Sequence, residues 1–234
     1  MPRANPSSPL PWLLLLLSAT TGLVDAVSVL GLGKVFTANM TGNVVFLGFA
    51  AAGTPGFSWP PYVLAILTFM AGALVAGRLG HQHAGRPLAG WLTRSALIEA
   101  GLLWSAAVVA LGFDVLAPDR STVFAIIALT AIAMGFRNAT IRQLKVPDLT
   151  TTVLTLTITG IAADSKAAGG TNPNWMRRLA AVIAIFAGAV LGAILVRSSG
   201  LTLPLVLAGA TVLGGTLAAA RALSQGDLQQ EHAG

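Results

Sequence analysis

Long apolar runs broken by short polar gaps fill most of the chain, and their lengths predict membrane-spanning helices. Residues 10–17 are almost pure leucine and apolar character resumes over 23–32, together giving the roughly 20 residues that a spanning helix needs. The polar lead with Arg3 ahead of the leucines has the form of a signal peptide's opening regions, but the apolar continuation predicts a retained first helix. Residues 62–80, 95–116, 179–196 and 201–222 read as further full-length spans. The run 122–136 is short of a span and reaches that length only if Arg137 and Asn138 continue the same helix inside the membrane. Residues 53–61, dense in Gly and Pro, read as a loop, and 81–94 is the longest basic, polar gap, separating two halves. The pattern therefore predicts a polar lead (1–9), one transmembrane domain (10–223, with halves about 10–116 and 120–223) and a polar tail (224–234).

Two polar runs interrupt this pattern. The first is Thr37-Ala38-Asn39-Met40-Thr41-Gly42-Asn43, followed by an apolar stretch too short to span alone. Residues 36–52 are thus a helix with a polar start or a segment that enters and turns back. The second run begins at Asp148 and carries Thr150, Thr151, Thr152, Thr155 and Thr157. On a helix Asn39 and Asn43 would lie one turn apart, as would Thr37 and Thr41, with Thr152, Thr155 and Thr159 forming a comparable stripe. Gly42 beside Asn43 gives local freedom to break helical geometry.

The halves echo each other. Gly22-Leu23-Val24-Asp25-Ala26 lies over Gly135-Phe136-Arg137-Asn138-Ala139 at an offset of 113, and Ala71-Gly72-Ala73 over Ala187-Gly188-Ala189 at an offset of 116. If every apolar segment crosses, eight spans place 8 of the 14 Lys and Arg inside and 6 outside; with the two polar-run segments re-entrant, six spans place 11 inside and 3 outside, namely Lys34, Arg120 and Arg197. The positive-inside bias selects six spans, hence two inverted repeats of three spans each.

Composition sharpens this reading. Hydrophobic residues make up 55% of the chain and charged residues only 9%, against about 25% charged in a soluble domain. The net charge of +6 sits in gaps without aromatic interleaving, as cytoplasmic-side anchors do, which argues against a nucleic-acid partner. The absence of cysteine excludes disulfides, thiolate metal sites and cysteine nucleophiles.

The chemistry is confined to few residues. Asp25 in the middle of the first span and Glu99 in the 95–116 span are ionisable groups at costly depth, and Arg137 is the counter-charge available to either. Asp25, Asn39, Thr41, Gly42, Asn43, Asn138, Thr151, Thr152, Thr155 and Thr157 are the expected lining of a polar pathway near the midplane. Gly188 and Gly192 form a GxxxG echoed by Gly72 and Ala76, which suits packing between the halves or a homo-oligomer. His81 and His83 have no partner ligands nearby, so no metal site is expected; no nucleotide-binding glycine pattern, cofactor motif or hydrolase signature occurs, and no enzyme activity is expected.

Gly22-Leu23-Val24-Asp25-Ala26, Asn39-Met40-Thr41-Gly42-Asn43 with Leu47-Gly48, and Thr151-Thr152-Val153-Leu154-Thr155 resemble the most characteristic segments of the YoaK family of bacterial membrane proteins, over roughly 14–222. Where that family usually reads Thr-Gly-Thr, this chain has Thr155-Leu156-Thr157. The resemblance implies about six transmembrane segments in a bacterial cell (inner) membrane. Taken together, the expectation is an all-α, polytopic integral membrane protein that moves a small polar solute or ion through the bilayer, with Asp25 or Glu99 as a proton-coupling carboxylate. The competing expectation is a non-transporting membrane component that binds a lipid or a partner subunit.

Overall fold

The computed structural model describes residues 9–114, 118–144 and 154–231, with side chains as far as 225. The described elements are, in order, α1 (Leu10–Gly31), α2 (Met40–Ala51), α3 (Trp59–Gln82), α4 (Leu88–Val109), α5 (Arg120–Leu144), α6 (Leu154–Ala163), a 3₁₀ turn (Lys166–Ala168), α7 (Trp175–Ser199) and α8 (Thr202–Glu231). Six of these helices are long and apolar enough to cross a membrane. At 1.5 Å per residue the 12 residues of α2 and the 10 of α6 reach only about 18 and 15 Å, half of a bilayer core.

The expected boundaries shift at two places. Trp59, Pro60 and Pro61 belong to the first turn of α3 rather than to the preceding loop, since proline fits the start of a helix, where its missing N–H costs nothing. The polar gap 81–94 shrinks to the few residues between Gln82 and Leu88, because Thr93 and Arg94 already lie on α4. Arg137 and Asn138 do continue α5, as the sequence required.

The main partners are α1 with α7, α3 with α5 and α4 with α8; α4 also packs on α5 and α1 on α8. Glycines set the first two crossings. A Cβ on Gly22 would collide with the Ile185 carbonyl, and one on Gly188 with the Ala19 carbonyl. In the other pair, a Cβ on Gly135 would collide with the Phe69 carbonyl, and one on Gly72 with the Ile132 carbonyl. The offset of 113 carries Gly22 to Gly135 and also Ala19 to Ile132, while 116 carries Gly72 to Gly188 and Phe69 to Ile185. The two crossings are therefore the same contact made twice, with backbones brought together by the absence of side chains. The GxxxG pair serves this packing between the halves, Gly192 resting on Leu23 and Ala26. The repeat-equivalent helices α4 and α8 run antiparallel: Trp104 Nε1 donates to the Val206 carbonyl (3.2 Å) and Thr202 Oγ1 to the Ala110 carbonyl (3.0 Å).

Helices α1 and α5 are the most enclosed spans, whereas α3 and α7 are largely exposed. Leu67, Met70 and Leu74 on α3, with Ile183, Phe186 and Ile194 on α7, form outward apolar faces that suit lipid. The short helices dock on these outer spans, α2 on α3 and α6 on α7. The attachments differ in chemistry. An aromatic cluster of Phe36, Phe46, Phe49, Phe57 and Tyr62 holds α2, with ring centroids 5.2–6.1 Å apart. By contrast α6 is held by Arg178, whose Nη1 donates to the Gly160 carbonyl and to Asp164 Oδ2, both at 2.6 Å.

Candidate functional site

The deepest polar feature is an ion pair where α1, α4 and α5 meet. Arg137 is 1% exposed and Glu99 4% exposed, so neither charge can be satisfied by solvent. Arg137 Nε donates to Glu99 Oε1 at 2.5 Å, and Nη2 also contacts that oxygen. Nη1 donates to the Leu17 carbonyl (3.1 Å) and to Thr21 Oγ1 (3.0 Å). Thr21 can serve as acceptor because its own hydroxyl proton is donated to the Leu17 carbonyl (2.9 Å). The guanidinium is planar and permanently charged, so it ties three helices together with fixed geometry. Of the two carboxylates that Arg137 could have matched, it takes Glu99.

Below the pair lies a cavity of about 20 Å³, lined by Ser95, Glu99, Arg137, Thr140 and Thr216 and closed by leucines and Ile141. Two buried hydroxyl oxygens at this cavity have no hydrogen-bond partner, Ser95 Oγ and Thr140 Oγ1, while Arg137 Nη2 has only its contact with Glu99 Oε1. Buried polar groups are ordinarily satisfied, so two unspent hydroxyls around one void beside a guanidinium mark a place for a polar occupant. The volume suffices for one water.

Asp25 stands elsewhere. The first span ends at Gly31, and the chain reverses through Gly33 (φ 87°) and Lys34 (φ 61°), so Asp25 lies six residues from the helix end, about 9 Å along it, rather than mid-span. Its Oδ1 accepts the Ala38 N–H at 3.2 Å, drawing residues 35–39 back alongside α1. The loop thus folds back along α1, and α2 starts at Met40 beside it. Thr37 and Asn39 are outside that helix, so the paired polar stripes expected of the first run do not form; Asn39 is extended at φ −109°, ψ 90°.

Asn43 is fully buried and makes the re-entry possible. Its Oδ1 accepts the Phe36 N–H (2.9 Å) and its Nδ2 donates to the Phe36 carbonyl (2.6 Å), replacing the partners that an irregular backbone lacks in lipid. Gly42 is helical, and the break falls at 33–39 instead; a Cβ at Gly42 would meet the Phe36 ring at 2.6 Å, so the glycine provides room for that ring. Thr41 and Asn39 are exposed. Asn138 lies on α5, its Nδ2 donating to the Met134 carbonyl (2.8 Å). Thr151 and Thr152 lie outside the described residues; on α6 Thr155 is exposed and Thr157 buried. The sequence-predicted residues are therefore not gathered in one place among the described residues. Glu99 and Arg137 form the centre, Asp25 and Asn43 hold the re-entrant loop, and the α6 threonines sit against α7.

Ser95, Thr140, Thr21 and Thr216 were not legible as site residues. The available signal was spacing: Ser95 is one helical turn before Glu99, Thr140 one turn after Arg137, and Thr21 one turn before Asp25. His83 accepts a hydrogen bond from Arg94 (2.8 Å) beside the Trp91 ring, and among the described residues no cluster of three His or carboxylate side chains could hold a metal.

Fold and site define a multi-pass α-helical membrane protein with a buried ion pair at its core. The chain belongs to the family described as protein of unknown function (DUF1275), whose pattern it matches over residues 13–218. It is 31% identical over 152 residues to the UPF0700 transmembrane protein YoaK of Bacillus subtilis (strain 168). That match covers 65% of this chain and 65% of the relative, so just under two thirds of the relative's length is spanned. No solved structure matches.

Proposed function

We propose that this protein is a transporter of a small polar solute or ion in a bacterial cytoplasmic membrane, built as two inverted repeats. The observation that carries the reading is the Glu99–Arg137 pair with unspent polar groups around a cavity in the interior of the bundle. Intramembrane charges are expensive to keep and mark solute or proton pathways by default. The Ser95 and Thr140 hydroxyls beside the pair are buried without a partner, which a purely structural pair does not require. Thr21 lies one turn from Asp25 on α1, so polar groups follow one another from the re-entrant loop to the cavity. Inverted repeats with sites on interrupted segments are a common transporter plan, and the duplicated glycine crossings with antiparallel α4 and α8 support it here. With Arg137 inside the bundle rather than in a loop, ten cations remain on the inner side against three outside, which keeps the same orientation.

Two measurements test this. Purified protein in liposomes is expected to carry one of a panel of small ions and polar solutes above the protein-free leak, with Glu99→Gln and Asp25→Asn changing the rate or its pH dependence. Flux indistinguishable from empty liposomes would overturn the transport reading, and unchanged flux and pH profile in both variants would remove the proton-coupling role. For orientation, the chain has no cysteine, so Ser58→Cys and Ala168→Cys, both at exposed positions, report without background. An impermeant thiol reagent should label Ser58→Cys in intact cells and Ala168→Cys only after permeabilisation; labelling of both from one side would sink the inverted arrangement.

A further inference from the structure

The buried site has a charge balance that restricts what can occupy it. Arg137 cannot shed its proton, and the one carboxylate touching it is Glu99. If Glu99 becomes neutral, the guanidinium is left uncompensated at 1% exposure, an arrangement that interiors do not tolerate unless another negative charge arrives. Among the described residues, no other negatively charged group touches Arg137. From α1 comes Asp25, within electrostatic reach of Arg137 but hydrogen-bonded to the Ala38 amide beyond Thr21; α8 contributes the Thr216 hydroxyl, its Arg221 being exposed; on α5 and α4 the nearest further charges, Arg142 and Arg94, are exposed. The groups around the void are donor-rich: Arg137 Nη2, whose one contact is Glu99 Oε1, can only donate, and the unspent Ser95 and Thr140 hydroxyls can donate too. The void accommodates one water-sized acceptor atom.

We propose that the cavity is a binding site for a small monoanion taken up together with one proton. The anion's acceptor atom sits on Arg137 Nη2, Ser95 Oγ and Thr140 Oγ1, and the proton adds to the Glu99 carboxylate. At the touching pair, one negative and one positive charge are buried before binding; afterwards the anion has replaced the carboxylate charge and the net there is again zero. Binding is therefore coupled to protonation by electrostatics, and any turnover through this site moves no net charge. The substrate class rests on the transport reading only for movement across the membrane; binding stands by itself.

The test uses full-length protein in detergent, with sodium fluoride, chloride and formate as probes, by calorimetry and melting at pH 5.5, 6.5 and 7.5. Tighter binding at lower pH is expected, about tenfold per pH unit, with one proton taken up per anion. Glu99→Gln, which mimics the protonated carboxyl, should bind independently of pH. Ser95→Ala with Thr140→Val should weaken binding about tenfold or more without lowering the ligand-free melting temperature. Three results would overturn the proposal: none of the probes binding either wild type or Glu99→Gln at pH 5.5, as for a cavity that holds only water; binding without proton uptake; or unchanged affinity in the hydroxyl-deleted variant. Wild-type pH dependence decides the matter even if Glu99→Gln does not fold. Anion binding without flux would refute transport and keep the site, whereas flux of a cation or neutral solute without anion binding would do the reverse.

Discussion

Replacing each partner of the buried pair, and then both, separates the charges from the packing. In Glu99→Met the guanidinium of Arg137 keeps its charge with only the Leu17 carbonyl and Thr21 Oγ1 as neutral acceptors. Breaking a buried pair in this way costs about 3–5 kcal/mol. Arg137→Met leaves Glu99 behind, but a carboxyl can take up a proton and become neutral, so the remaining cost is an unsatisfied buried polar group, about 1–3 kcal/mol. The double variant Glu99→Met/Arg137→Met restores an apolar interior of similar volume, and Thr21 keeps its bond to the Leu17 carbonyl. It is expected within about 2 kcal/mol of wild type or above it, which makes the coupling energy a few kcal/mol. For a chain of this size 1 kcal/mol corresponds to roughly 2–4 °C, so Glu99→Met should melt roughly 6–20 °C lower. Intrinsic fluorescence in detergent can follow the transition, since Trp91 and Trp104 flank Glu99 on α4. If Arg137→Met is the more damaging single change, or if the double variant is as unstable as Glu99→Met, the account of the pair is wrong. A stable double variant that has lost flux would assign the pair to function rather than to folding.

Glycine substitutions should divide by position. Gly72→Ala or Gly135→Ala forces a Cβ onto a neighbouring carbonyl and should cost about 1–3 kcal/mol or more, whereas Gly77→Ala, whose Cβ meets nothing within 4 Å, should stabilise by up to about 1 kcal/mol; melting temperatures would expose equal effects. Asn43→Ala removes both bonds to Phe36 and should cost about 2–4 kcal/mol, while Asn43→Asp, which keeps the acceptor and loses the donor, should fold no better than partway between; a fully stable Asn43→Ala would show that the re-entrant loop is held otherwise. Asp119 caps α5, accepting from the Ser121 hydroxyl and from the amide and hydroxyl of Thr122 (both 2.9 Å), and these bonds, the Ser121 hydroxyl first, lower its carboxyl to about 2 from an ordinary 3.8. A lowered carboxyl stabilises fully above its unfolded value, and that contribution fades as pH falls through the folded one. The melting difference between wild type and Asp119→Ala should therefore be constant from pH 7 to about 4.5 and shrink toward pH 2, a trend that a pH-independent difference would contradict.

What could be read from the chain alone was whatever depends on local composition. Five apolar runs of spanning length, a sixth that reaches it only by taking in Arg137 and Asn138, the two short polar-headed segments and the sparing use of charge follow from the demand that lipid-exposed backbone and side chains be apolar. The glycines that let the helices touch were also visible at matched offsets, Gly22 with Gly135 and Gly72 with Gly188. Glu99 and Arg137 stood out since charge inside a span is rare. Tertiary structure decided the relations between these parts. Which carboxylate meets Arg137 depends on α4 and α5 packing side by side, and no spacing along the chain encodes that. The break falls at 33–39 rather than at Gly42 because Asp25 and Asn43, 13 and 7 residues from the amides they accept, supply its backbone partners. Ser95 and Thr140 look like ordinary helix hydroxyls, which usually bond back to their own helix. Only the packed bundle shows that these two do not, and that both open onto the cavity beside the buried charges.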